Sequence, residues 1–382
     1  MIPYGKQEIT QVDIDRVIEV LKSDFLTQGP AVSLFERTVA DYTTSKYAIA
    51  VNSATSALHV ACLSLGLKKG GRLWTSPITF VASSNVALFC GAEVDFVDID
   101  PSTYNMDMNA LEEKLINAEK RRQLPDIVVP VHFSGQPCDL RAVRVLSKRY
   151  GFKVIEDASH AIGAEYASNP VGSCEFSDIT VFSFHPVKII TTGEGGVATT
   201  NNKVLAEKME LLRSHGVTRS PDKMMNKKAN DWYYEQIDLG FNYRLTDIQA
   251  ALGISQMKRL NSYVTHRNEL ANLYDEKLKG MPITLPYQTK EARSSRHLYV
   301  VKVEESKRGD TFDYMRRNGI GVNVHYIPVH TQPYYQKMGF SEGMFPEAEK
   351  FYKEAISLPL FGSMSLEQQD EVVAKLKMAL EV

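Results

Sequence analysis

Between residues 45 and about 215 the chain repeats one pattern: a short apolar run rich in β-branched residues, then a stretch with helical spacing. The runs are Ala48–Val51, Arg72–Thr75, Val94–Ile99, Ile127–Val131, Val154–Ile155, Ile179–Phe184 and Val197–Thr199. Thr55–Leu65 and Phe80–Phe89 read as helices, as do the stretches at about 108–118 and 140–149. Strands this short and apolar are buried on both faces, and helices between them make βαβ crossovers. The pattern predicts an α/β fold with a mostly parallel sheet covered by helices.

The flanks are different. Ile14, Val17, Ile18 and Leu21 lie at helical spacing, followed by a turn at Gln28-Gly29-Pro30. Residues 217–236 are polar and charged and read as a long surface loop. Helical patterns follow at 245–260 and 264–279. The last third holds two predicted strands, H-L-Y-V-V-K-V and G-V-N-V-H-Y, and helices at about 346–355 and 366–380. A chain of 382 residues exceeds one compact core. We expect a large domain over 1–253, including an N-terminal substrate-contacting segment, and a smaller α+β domain over 254–382.

The formal net charge of −2 provides no global field for nucleic acid or an anionic membrane. An anionic ligand must be held by local groups. Cys62, Cys90, Cys138 and Cys174 are far apart in sequence and form no C-x-x-C pair, as expected of free thiols in a reducing compartment. No apolar run of about 18 residues and no basic-then-apolar leader is visible, so a cytoplasmic location is expected. The nine histidines show no H-E-x-x-H or comparable spacing, so no metal is expected.

Three segments share one topological position. In an α/β sheet, ligands sit beyond the carboxyl ends of the strands. Asn52-Ser53-Ala54-Thr55 follows one strand and opens a helix, where small residues leave amides free for an anion such as a phosphate. A simple Ser/Thr cap reads the same way. Asp157 ends another strand, with His160 three residues on; a carboxylate there can hold a cationic ring nitrogen or cap a helix. Ser183 and Lys188 lie at or beyond a third strand end, just before a turn built on Gly193, Gly195 and Gly196. Each segment has an ordinary explanation. Together they make the set that pyridoxal 5'-phosphate (PLP) needs: a lysine for the Schiff base, an acid for the pyridinium nitrogen and an anion site.

These segments, and others along nearly the whole chain, resemble the DegT-type nucleotide-sugar aminotransferases, which are fold-type-I PLP-dependent transferases. The resemblance is carried by L-T-Q-G-P (26–30), N-S-A-T-S-A-L (52–58), T-S-P-I-T-F-V-A (75–82), E-D-A-S-H-A-I-G (156–163), F-S-F-H-P-V-K-I-I-T-T-G-E-G-G (182–196), R-S-H-G (213–216) and G-F-N-Y-R-L-T-D-I-Q-A-A-L-G (240–253). It implies a mostly parallel, seven-stranded type of sheet in the large domain. I-P-Y-G-K-Q and N-V-H-Y-I-P-V-H (323–330) are similar to the branch that aminates UDP-2-acetamido-2,6-dideoxy-β-L-arabino-hex-4-ulose. That branch makes UDP-4-amino-4,6-dideoxy-N-acetyl-β-L-altrosamine, on the way to pseudaminic acid.

The resemblance implies roles. Lys188 would form the Schiff base with PLP, Asp157 would pair with the ring nitrogen, and His160 would sit near the ring hydroxyl. Phe80 would stack on the ring, although spacing by itself reads Phe80 as a core residue. Ala54, Thr55 and Ser183 would hold the phosphate. Asn242 would reach the phosphate of a neighbouring subunit, which implies a homodimer with shared sites. Tyr4 with Asp24, Phe25, Leu26 and Thr27 would form one substrate wall. His325 and Tyr326, then Val329, His330, Thr331 and Gln332, would form another. The implied partners are a UDP-linked 4-keto sugar and L-glutamate, with no nucleic acid and no membrane. A related dehydratase branch carries histidine in place of the lysine; Lys188 is present, and His185 falls three residues earlier. Lys223, Lys227 and Lys228 read either as a screen for the diphosphate or as a solvated face. Two rivals stay open: another 4-keto nucleotide sugar, or a PLP-binding regulatory protein without turnover.

Overall fold

Seven strands form one sheet in the computed structural model, which describes residues 1–226 and 230–381. In chain order they are β1 (Tyr47–Val51), β2 (Arg72–Thr75), β3 (Glu93–Phe96), β4 (Ile127–Val129), β5 (Lys153–Asp157), β8 (Ile179–Ser183) and β9 (Gly196–Thr200). The short hairpin β6 (Glu165–Tyr166) and β7 (Asn169–Pro170) lies between β5 and β8 and joins a separate small sheet. The order across the main sheet is β1-β9-β8-β5-β4-β2-β3. All strands run parallel except β9, which is antiparallel to both β1 and β8. The reversal has a local cause: only the Lys188 loop and its glycine turn separate β8 from β9, too little chain for a crossover helix.

The crossovers are helical: α3 (Ala54–Ser64), α4 (Ala82–Phe89), α5 (Met108–Arg121) and α6 (Leu140–Tyr150); α1 (Gln11–Leu21) and α2 (Pro30–Thr43) precede β1, and α7 (Lys203–Arg213), α8 (Asp247–Met257) and α9 (Leu260–Lys277) follow β9. β5 is buried from Val154 onward and β8 throughout, as strands covered on both faces must be. One core face packs α3 and α7 against the sheet through Leu58, Val60, Met209 and Leu212. The other uses α2, α8 and the start of α9, with Phe35, Ala250, Ile254 and Leu260. Further along α9, Leu270, Ala271 and Tyr274 enter a second core with Tyr299, Val301, Ile356 and Leu376.

Ile2 also belongs to that second core. Its amide donates to Gly319 O at 2.8 Å, and Leu360 N–H donates to Tyr4 O at 3.1 Å. The N-terminus is thereby fixed beside the C-terminal segment.

Two expected elements differ. G-V-N-V-H-Y is not a strand: only Asn323 makes a bridge, to Ser357. Ser357 pairs with Val300 on one edge, and on its other edge only Asn323 comes into register. The strand that pairs with Tyr299–Lys302 is Ala355–Leu358, a run placed partly in the preceding helix by its sequence. That helix is Pro346–Glu354, and the chain turns extended at Ala355. The polar stretch 217–236 is pinned at its ends, where Val217–Thr218 pairs with Glu235–Gln236. Among the described residues no helix is long and apolar enough to cross a membrane.

Candidate active site

The β8–β9 connection explains the lysine at its tip. After β8, the Phe184 carbonyl accepts Thr192 N–H at 3.0 Å and Thr191 Oγ1–H at 2.9 Å, so the chain folds back on itself. Lys188 N–H closes a turn onto His185 O at 2.9 Å. The fold-back places Lys188 beyond the strand ends, on the wall of a cavity of about 900 Å³. Burial pulls its amine down to about 8, against the opposing charge of Asp157.

Asp157 ends β5 and is buried at 4% exposure. Its Oδ2 accepts Ser83 Oγ–H at 2.6 Å, and its Oδ1 accepts Ser159 N–H at 3.1 Å. Two donors offset part of the cost of burying the carboxylate and leave it room to accept from a ligand N–H.

An anion cradle forms at the start of α3. Ser53 caps the helix, accepting Ser56 N–H at 3.1 Å. The amides of Ala54 and Thr55 in the first turn have no intrahelical acceptor, and the helix dipole favours negative charge there. β9 passes directly against this turn. A Cβ on Gly196 would lie 2.5 Å from Ala54 N, so only glycine permits the approach. Ser183 and Thr55 line the same cavity.

The remaining wall is aromatic. Phe80 is 61% exposed and lines the cavity; it is not a core residue. Tyr326 packs against Phe80 with ring centroids 6.5 Å apart. His160 Nε2 and Tyr326 Oη are 3.0 Å apart. Burial, then the Lys188 charge, pushes His160 well below the ordinary histidine range. The same two causes bring His325 down to about 3. Both imidazoles are neutral near neutral pH.

Tyr4, Ala54, Thr55, Phe80, Asp157, His160, Ser183, Lys188, His325 and Tyr326 therefore meet in one cavity. Others stand elsewhere in the single chain. Asp24, Phe25, Leu26 and Thr27 are exposed, with Leu26 O accepting Asp247 N–H at 3.0 Å. Asn242 is exposed and bridges Ser214 through its backbone. Val329 and His330 are fully buried, and His330 Nε2 lies 2.8 Å from Glu349 Oε1. Thr331 Oγ1–H is turned back onto Pro328 O at 2.8 Å. Gln332 precedes a short helix outside the cavity lining. Lys223 pairs with Glu207 at 2.8 Å; Lys227 and Lys228 lie outside the described residues.

Sequence reasoning missed Ser83, Asn323, Gln249 and His297, which also line the cavity. Ser83 sits three residues after Phe80, within one helical turn, and that spacing could have pointed to it. His297 carries no comparable pattern.

The DegT/DnrJ/EryC1/StrS aminotransferase family profile matches residues 7–377. A Campylobacter jejuni protein named UDP-4-amino-4,6-dideoxy-N-acetyl-beta-L-altrosamine transaminase is 38% identical over 370 residues, covering 96% of this chain and 94% of that protein. Helicobacter pylori PseC, described as an aminotransferase involved in the biosynthesis of pseudoaminic acid, superposes with a TM-score of 0.90 at 33% identity, over 100% of this chain and 99% of that one. Spr1654 of Streptococcus pneumoniae, in its PLP form, superposes with a TM-score of 0.89 at 30% identity, over 100% and 98% of the two chains.

Proposed function

The chain belongs to the DegT/DnrJ/EryC1/StrS aminotransferase family, and on that premise we propose that it moves the amino group of L-glutamate to C4 of a UDP-linked 4-keto sugar. The sugar is UDP-2-acetamido-2,6-dideoxy-β-L-arabino-hex-4-ulose, and the product is UDP-4-amino-4,6-dideoxy-N-acetyl-β-L-altrosamine. The observation that carries the reading is the convergence of Lys188, Asp157 and the first turn of α3 on one cavity. The named Campylobacter relative supports the choice of sugar.

The residues present fit PLP: Asp157 would pair with the ring nitrogen, the amides of Ala54 and Thr55 with Ser183 would hold the phosphate, and Phe80 would cover one ring face. When bound, PLP supplies an electron sink that stabilises the carbanion left by Cα–H cleavage. Lys188 would anchor PLP covalently and, once freed, act as the base: its amine, brought down to about 8, can take and return a proton at Nζ near neutral pH. A lysine fixed on one wall returns that proton to sugar C4 from one face. Tyr4 and His325, whose rings lie 5.4 Å apart, border the space left for the sugar. Asn242, exposed and outside the cavity of its own chain, serves the site of a second subunit in a homodimer.

Incubation with a panel of UDP-4-keto sugars and L-glutamate tests the assignment, with products read by mass and NMR. The altro-configured 4-amine should dominate. Preferential amination of a different 4-keto sugar would replace the substrate while keeping the reaction.

A further inference from the structure

Two of the four cysteines meet away from the cavity. Cys62 lies on α3 and is fully buried; Cys90 directly follows α4 and is half-buried. Their thiols are hydrogen-bonded to each other. His59 stands three residues before Cys62, on the same face of α3. Its imidazole also hydrogen-bonds the Cys90 thiol. The ring is held by Phe89, edge-on at 5.7 Å, by Phe241 at 4.9 Å, and by Tyr243, whose Oη lies 3.2 Å from Nδ1. Phe89 is 57% exposed, so the cluster opens to solvent on the Cys90 side.

These surroundings divide the two thiols. The hydrogen bond from Cys62, then that from His59, brings Cys90 down to about 6 against the cost of burial. Cys62, the donor in that bond, is held well above the ordinary thiol range by the same bond and by burial. The titratable groups facing Cys90 are His59, Cys62 and Tyr243. Cys138 and Cys174 are unlike this pair. Both are buried, each gives its S–H to a carbonyl (Val131 O at 3.2 Å, Thr199 O at 3.3 Å), and burial raises both. The thiolate is the nucleophile, so the four cysteines differ in reactivity.

We propose that Cys90 and Cys62 are a peroxide-reactive dithiol, with Cys90 as the attacking thiolate and Cys62 as the resolving thiol. Cys90 Sγ attacks one oxygen of a hydroperoxide and the O–O bond breaks. The leaving alkoxide takes a proton from water, and Cys90 becomes a sulfenic acid. Cys62 Sγ then attacks that sulfur. The S–O bond breaks, the Cys62 proton leaves with the hydroxyl as water, and a disulfide remains. Two thiols are oxidised, and the hydroperoxide is reduced to an alcohol and water. A thiol reductant reverses the bond by exchange. The disulfide ties together the far ends of two helices that serve the cavity from their first turns, α3 through Ala54 and Thr55, α4 through Ser83.

The test takes the full-length protein, reduced, freed of reductant and treated with hydrogen peroxide at neutral pH. Thiol titration after denaturation should fall from four free thiols per chain to two, and peptide mapping should find Cys62 joined to Cys90. Dithiothreitol should restore all four. Before any oxidant, brief iodoacetamide labelling should mark Cys90 at least about tenfold faster than Cys138 or Cys174. In Cys62→Ser the reaction should stop at the sulfenic acid, trapped on Cys90 by dimedone. A wild-type Cys90 that stays a free thiol, passes to a sulfinic acid without a disulfide, or pairs with any other cysteine overturns the proposal. Labelling of Cys90 no faster than of Cys138 and Cys174 removes the attacking thiolate and overturns it equally. None of these readouts depends on PLP, so the aminotransferase reading stands or falls separately.

Discussion

Ser83 Oγ donates a 2.6 Å hydrogen bond to Asp157 Oδ2, tying α4 to the end of β5. The bond joins two crossover units that share no strand contact at that point, and it aims a buried carboxylate. Without it, one oxygen of Asp157 loses its donor and the side chain is freer to turn. Hydrogen bonds to charged groups are worth about 1.5–3 kcal/mol. Ser83→Ala should therefore weaken PLP binding about tenfold or more, read by titrating the apoprotein and following the chromophore. Affinity unchanged from wild type would mean that Ser83 does not aim the carboxylate.

Lys188 carries its own pH signature. Its amine is brought down to about 8, chiefly by burial. Below that pH it holds a proton and cannot add to an aldehyde; above it, the free base is present. The rate at which apoprotein captures PLP should rise roughly tenfold per pH unit up to the region of the pKa and then level off. A rate still climbing steadily toward the ordinary lysine range near pH 10 would sink the argument. Lys188→Ala should hold the cofactor without the covalent chromophore and should not transaminate.

The strand-end positions of Asp157, Ser183 and Lys188 were legible in the sequence because each follows a buried apolar run, and the period of such runs survives tertiary packing. The same runs predicted the sheet. What was not legible depends on contacts between distant segments. G-V-N-V-H-Y has strand propensity, but it meets Ala355–Leu358 only at Asn323, on the edge opposite Tyr299–Lys302, and no local pattern announces that arrangement. Phe80 looks like a core residue from spacing, yet it follows β2 at a strand end where the chain opens onto the cavity. The donor from Ser134 to His160 depends on the meeting of two separate loops, which no periodicity encodes.

Gly196 tests the anion cradle without touching a side chain of the site. Its missing Cβ would fall 2.5 Å from Ala54 N and from Ser53 C and O. All three are backbone atoms that cannot rotate away. Gly196→Ala should push β9 and the first turn of α3 apart, costing about 1–3 kcal/mol in denaturant unfolding. PLP affinity should fall in the same variant, since the amides of Ala54 and Thr55 move. A fully stable variant with wild-type affinity would show that the turn gives way without consequence.

Asn242 tests the shared site. It is exposed in the single chain and absent from the cavity lining, so a role at the phosphate requires a second subunit. In a homodimer, a Lys188→Ala chain and an Asn242→Ala chain each spoil a different half of every site they form alone. A mixed dimer brings the two defects together at one site and leaves the other with an intact Lys188 and an intact Asn242. After subunit exchange of two inactive variants, activity should recover to about a quarter of wild type, because random pairing makes half of the dimers mixed and each mixed dimer has one whole site. Exchange should be proven independently, by mass-tagging one variant and isolating the hybrid. Hybrids that form and remain inactive place Asn242 at the site of its own chain, or at none.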